Sequence, residues 1–242
     1  MRPAPRHFVS SGPAHELNPL GARHRFMKLF ILSLATLLMF ANLNPLCAGT
    51  ADDSSTARSR ADTVVEQMRG FDMQPRSSPM DDGTINPKEQ RRQEITKQLH
   101  SIGKEAIPAL IHALKDSDVQ MRRNAELVLI ALAGGYDGEP KMDIRGAIPA
   151  LIKATGDKDS NVRQWAAHAL AEIGPDAKDA VPALIKLLKD SDEGPRNDSC
   201  MALGDIGPAA IDALPALRNA LNDSSKDVRQ FAQQAIDKIQ NK

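Results

Sequence analysis

The chain has 242 residues, with 31 basic and 31 acidic side chains, a formal net charge of zero and 3 % aromatics. The length sets an expectation of one or two domains, and the charge balance removes any whole-chain electrostatic case for nucleic acid or an anionic membrane. Few aromatics beside abundant Ala and Leu favour closely packed helices over a sheet sandwich, which draws on Val, Ile, Tyr and Phe.

Residues 1–51 read as an N-terminal extension and signal peptide. Met27-Lys28 leads into a run of apolar or small residues from Leu29 to Ala41, shorter than the ~20 residues a bilayer-spanning helix needs. Small residues come after it, and cleavage after Ala51 satisfies the small-x-small rule with Gly49; cleavage after Ala48 or Gly49 is the alternative. Leu46 stands where a small residue should precede a lipidated Cys47, which argues against a lipoprotein. Either Met1 or Met27 can be the start. The expected location is outside the cytoplasm, periplasmic or secreted, and a membrane enters only if the segment stays uncleaved as an anchor. After cleavage Cys200 is the sole Cys, so no internal disulfide forms and stability must come from packing.

Residues 52–85 are polar and broken, as in "TADDSSTARSR" and "QPRSSPMDDGT", and read as a linker with too little apolar surface to offset ordering. Within it, Val64, Val65, Met68 and Phe71 have helical spacing, so a short helix at 61–71 docked on the first repeat is the other reading. At Asn86 the character changes. Asn86, Pro87 and Glu89 form a capping-box start, Ile95, Leu99 and Ile102 line one face, and Gly103 stops the helix.

From there to residue 242 the chain repeats itself. "AIPALIHAL" at Ala106, "AIPALIKAT" at Ala147, "AVPALIKLL" at Ala180 and "ALPALRNAL" at Ala213 open four units, the last three 33 residues apart. The first interval is longer by the insertion within Gly134–Gly146, which holds the only Tyr, Tyr136. It is either part of a binding face or a tolerated surface loop. Each unit is a helix with Pro in its first turn, a "KDSD"-type turn with Asp or Asn as cap, and a second helix. Such pairs cannot bury their apolar stripes alone, so neighbours stack. The fold class is therefore all-α, a solenoid of four full repeats plus an N-terminal half repeat, over residues 86–242.

In every unit an Asp precedes an Arg by six positions: Asp116 and Arg122, Asp157 and Arg163, Asp190 and Arg196, Asp223 and Arg229. The half repeat has Asn86 and Arg92. A catalytic group is expected once, whereas a recurring pair is what a structural ladder looks like, its Arg fork reaching oxygens of its own and the adjacent turn.

The pattern P-A-L-I-x-x-L-x-D-x-D-x-x-V-R-x-x-A-A-x-A-L-x-x-I-G, carried by four units, resembles the HEAT repeats of the phycobilin-lyase type. That resemblance implies a right-handed α–α superhelix of the HEAT/armadillo kind, with the second helices lining the concave face and protein binding or scaffolding as the role. The third full repeat departs from the pattern, with Gly194 and Pro195 before its Arg and Ser199 before Cys200. Its second helix is expected to start at Pro195.

Chemistry is sparse. His100, His112 and His168 fall in three units at different frame positions, and HExxH, CxxC, G-x-S-x-G and P-loop patterns are all absent. HEAT-type iron hydroxylases use His-Glu pairs within the repeats; His15-Glu16 lies before the signal. Cys200 reads as a small packing residue. No catalytic residue, metal or cofactor is expected, and the chain is read as no enzyme. The frame positions two and five after each ladder Arg give Asn124, Leu127, Trp165, His168, Asp198, Met201, Phe231 and Gln234. That mixed apolar–polar strip suits a protein or peptide partner, not phosphates or nucleic acid. The expected function is a non-enzymatic scaffold binding such a partner outside the cytoplasm. The alternatives are a HEAT-like lyase or accessory enzyme acting on a bound cofactor, and a structural envelope component without a discrete partner.

Overall fold

The computed structural model describes residues 53–73, 87–135 and 138–240. The expected signal segment, the capping Asn86 and Tyr136 lie outside the described residues, which all fall in the compact unit Asp52–Lys242. Among them there are helices and turns and no strand.

Helix α1 spans Asp53–Glu66 and α2 spans Pro87–Ile102. Four helical hairpins come next: α3 (Ile107–Ala113) with α4 (Val119–Gly134), α5 (Ile148–Ala154) with α6 (Ser160–Ile173), α7 (Val181–Leu187) with α8 (Glu193–Ile206), and α9 (Leu214–Ala220) with α10 (Lys226–Ile239). A 3-10 turn leads into each first helix. Pro108, Pro149, Pro182 and Pro215 sit in the first turn of these helices, where a missing N–H breaks no intrahelical bond. The second helices start on caps whose side chains accept backbone N–H groups: Asp118 from Gln120 and Asp159 from Val162. In the last repeat the cap is Ser225, which takes the N–H of both Asp227 and Val228. Gly174 and Gly207 end α6 and α8 at φ of 68° and 72°, a region an L side chain resists.

The third repeat differs from expectation. Its helix α8 begins at Glu193, two residues before Pro195. Pro195 is thus the third helical residue, still within the turn whose N–H groups lack intrahelical partners. It removes the N–H that a cap prefers, and the Asp192 side chain accordingly makes no capping bond and accepts from Arg163 Nη2 at 3.0 Å instead.

Consecutive second helices pack along one another from α4 to α10, whereas a first helix packs mainly on its own second helix and meets the next repeat chiefly at the 3-10 turn leading into it. The second helices therefore form the inner, concave layer. Ala167, Ala169, Ala202 and Ala235 are buried there and permit close approach. Backbone meets backbone closely at Gly204: a Cβ added there would sit 3.0 Å from Ala235 Cα. Backbone cannot swing aside, so Gly204→Val should destabilise by about 2 kcal/mol, as overpacking does. Urea unfolding checks this, and an unchanged midpoint would contradict it.

Two segments are more ordered than their composition suggests. Within the expected linker, α1 starts earlier and ends earlier than the 61–71 reading. Its polar residues face outward while Ala61, Val64 and Val65 are buried, and Met68 and Met73 beyond it are buried as well. One apolar row suffices when a neighbour covers it. The described part of the insertion is a brace. Met142 N–H bonds Leu132 O at 2.8 Å, His100 Nε2 donates to Pro140 O at 3.0 Å, Ile144 is buried, and Lys141 lies 3.7 Å from Glu172. It ties the ends of α2, α4 and α6 together.

Candidate protein-binding face

The Arg–Asp pairs set the geometry on which any face is built. Each ladder Arg bonds twice in its own turn: Arg122 Nη1 donates to Asp116 O and Ser117 O, Arg163 to Asp157 O and Lys158 O, Arg196 to Asp190 O and Ser191 O, and Arg229 to Asp223 O and Ser224 O. The remaining fork reaches forward. Arg122 holds the Asp157 carboxylate at 2.8 and 3.0 Å, Arg163 holds Asp190 at 2.7 and 2.7 Å, and Arg196 holds Asp223 at 2.8 and 2.9 Å. Each Asp also accepts the N–H two residues on, at Asp159, Asp192 and Ser225. So the rung spans two repeats: Arg fixes its own turn and clamps the next.

The first rung is made differently. Arg92 donates to Glu89 at 2.6 Å, one turn back on α2, and it is Arg69 whose Nη2 reaches Asp116 Oδ2 at 2.9 Å. Residues 68–73 lie between the N-terminal parts of α2 and α4. Lys88 meets Asp72 at 3.2 Å and the Arg91 guanidinium covers the Phe71 ring on one side. On the other side Asn124 accepts Met73 N–H (3.2 Å) and donates to Met68 O (2.9 Å) and Phe71 O (2.5 Å). Burial overturns two site assignments. Asn124 is 0 % exposed and Leu127 is 6 % exposed, so neither offers surface to a partner. Asn124 is a staple for the chain's own backbone.

The other six strip residues keep accessible surface. Trp165, Met201 and Phe231 pack one side against the core and leave the other open on α6, α8 and α10 in turn. Gln234 is exposed. His168 and Asp198 come together across α6 and α8, with Nδ1 3.7 Å from Oδ1. The Asp198 carboxylate, against the opposing effect of burial, holds the imidazole above its usual 6.5, with Glu172 and Asp205 adding to the field. The sequence strip missed the row one turn further along, nine positions after Arg163, Arg196 and Arg229: Glu172, Asp205 and Lys238, the last two joined at 2.6 Å. Their variation at a fixed frame position was the available signal.

The family described as HEAT repeats matches residues 127–199 and 148–237. Among solved structures, the complex of CpcE and CpcF of phycocyanin lyase from Nostoc sp. is 20 % identical, with TM-score 0.55 over 74 % of this chain and 98 % of that chain. A designed armadillo-repeat protein in complex with the peptide (KR)4 is 17 % identical, with TM-score 0.51 over 76 % of this chain and 92 % of that one. The described chain is a HEAT/armadillo-type α-solenoid. No curated protein matches the sequence.

Within the solenoid, Cys200 belongs to the packing. It is 0 % exposed, and burial pushes its thiol up to about 12, which leaves it protonated and unreactive at neutral pH. Ser199 beside it satisfies its hydroxyl on Leu184 O at 2.6 Å. Among the described residues no three His, Cys, Asp or Glu side chains are grouped to hold a metal.

Proposed function

We propose that the chain is an exported, non-enzymatic scaffold that holds a protein or peptide partner on the second helices of its last three repeats. The observation that carries this is the run of half-buried Trp165, Met201 and Phe231 on three successive helices, interleaved with the polar His168, Asp198 and Gln234. A mixed apolar–polar surface with aromatic and Met side chains is the composition of a protein interface. Trp and Phe on rigid, ladder-clamped helices lose little entropy on association. The designed armadillo relative, which binds a peptide with the same fold, supports the reading.

The test places a photo-reactive residue at position 165, 201 or 231 in intact cells, with Lys186 and Arg218 on the outer helices as comparison sites. Adducts to one protein from the inner positions alone are expected. Equal adducts from both layers would contradict the proposal. Mass spectrometry of the same material reads export: a mature N-terminus at residue 52 is expected, and an intact N-terminus in the cytoplasm would contradict it.

A further inference from the structure

Glu126 sits in the seam between the first and second full repeats. It lies on α4, three and four residues after Arg123 and Arg122, so the three share one helical face. That face looks at the second repeat: Arg122 holds Asp157, Arg123 holds Asp159 at 2.9 Å from Nε, and Val119 packs on Ala154, Val162 and Ala166. Glu126 is 0 % exposed, and neither carboxyl oxygen meets a hydrogen-bond partner. At the same frame position the next two repeats carry Ala167 and Cys200, both also 0 % exposed. A charge cannot rest in such a place without a partner, whereas the neutral acid can.

We propose that Glu126 is a proton-operated latch: protonated, it lets the first two full repeats close on each other, and ionised, it loosens that seam. The proton leaves the Glu126 carboxyl for solvent. The carboxylate left behind then competes with Asp157 and Asp159 for the two arginines within reach on its own helix, and water follows the charge. The event is confined to one seam because Ala167 and Cys200 hold the equivalent places.

Burial, with Asp157 and Asp159 adding and Arg122 opposing, holds the Glu126 carboxyl well above the usual 4.5. Of the other elements packed on α4, α3 carries His112, α6 carries His168 and Glu172, and α2 carries Glu94, Lys97 and His100; the last three line a groove with Ala131 and Leu132. An acid with a raised folded value binds a proton that the unfolded chain has released. Its contribution is therefore full below pH 4.5 and is lost as pH rises through the folded value.

The experiment compares wild type, E126Q and E126A from pH 5 to 10 by urea midpoint and by amide exchange in 119–134 and 157–166. His168 titrates over part of this range, so the difference between wild type and E126Q, not either curve alone, reads Glu126. Seam exchange in wild type, corrected for intrinsic rate, should rise at least about tenfold over that of E126Q across the range, one unit of pKa difference being tenfold. E126A, which restores the residue of the next repeat, should follow E126Q. Parallel curves for all three proteins, or a Glu126 carboxyl that titrates near 4.5 by carbon NMR, would overturn the latch.

Discussion

Replacing Arg163 with Ala should lower stability by about 2–4 kcal/mol, between the worth of a surface pair and that of a buried one broken on one side. Its side chain is 14 % exposed and that of Asp190 is 10 % exposed, so water only partly repairs the loss. The cost has two parts. Asp157 O and Lys158 O lose a donor that fixes the second repeat's turn, and Asp190 loses the clamp that fixes the third. Arg163→Lys should recover little, since one ammonium cannot serve both turns with the geometry of a planar fork. Urea unfolding measures the loss; a change below about 0.5 kcal/mol would mean that the rung is ornamental.

The same variant has a pH signature. Burial raises the Asp190 carboxyl, but Arg163 and the Asp192 N–H outweigh it and leave it below the usual 3.8. Arg123 and Arg196 likewise hold Asp159 and Asp223 low. Carboxylates lowered in the fold contribute stability that is present above their unfolded values and lost as pH falls through the folded ones. Acid unfolding of wild type should therefore steepen below pH 3.8, and Arg163→Ala should be less acid-sensitive there. This is opposite in sign to the alkaline loss assigned to Glu126.

Asn124→Ala should release residues 53–73 from the first repeat. Three backbone partners, the N–H of Met73 and the carbonyls of Met68 and Phe71, lose their bonds at once. Leaving one such buried group unpaired costs about 1–3 kcal/mol, more than a single surface contact returns. The segment keeps the burial of Ala61, Val64, Val65, Met68 and Met73 and three partly exposed contacts, Arg69–Asp116, Lys88–Asp72 and Arg91 over the Phe71 ring. Loss of about 3 kcal/mol from this local ledger should show as fast amide exchange and early proteolysis across α1, with the last three repeats unchanged. Protection of α1 equal to wild type would contradict the staple. Asn124→Asp should fail too, because a carboxylate cannot donate to the two carbonyls.

Four repeats were legible because the same physical demands recur in each unit, the last three 33 residues apart. Pro is tolerated only in a first turn, a cap needs a short polar side chain, and a helix end needs Gly. The Arg–Asp spacing within a unit was legible too, and so was a reach to oxygens of the Arg's own and the adjacent turn; which turn supplies the carboxylate was not. Each carboxylate serves the Arg of the preceding repeat, a contact set by stacking distance that spacing along one unit cannot reveal. Residues 53–73 were legible only as two competing readings, a linker or a short docked helix. Their composition is that of a linker, and what orders them is one buried apolar row together with Asn124, 51 positions away from Met73. Asn124 and Leu127 share frame positions with open residues elsewhere, yet Asn124 is turned onto the wedge and Leu127 joins the core. Trp165 and His168 stood out for the opposite reason: the frame leaves them free, and nothing in the described chain covers them completely.

The central claim is that these free positions bind and do not merely pack. Once cross-linking has supplied the partner, the measurement is its affinity for wild type and for the Trp165→Ala/Phe231→Ala double variant, read beside the melting of each. Removing two aromatic anchors should weaken binding by about a hundredfold, a loss of ~3 kcal/mol of the size seen at interface hot spots, while melting falls by only a few degrees. Unchanged affinity in a folded double variant would contradict the account, and so would a weakening no larger than the loss of fold stability explains.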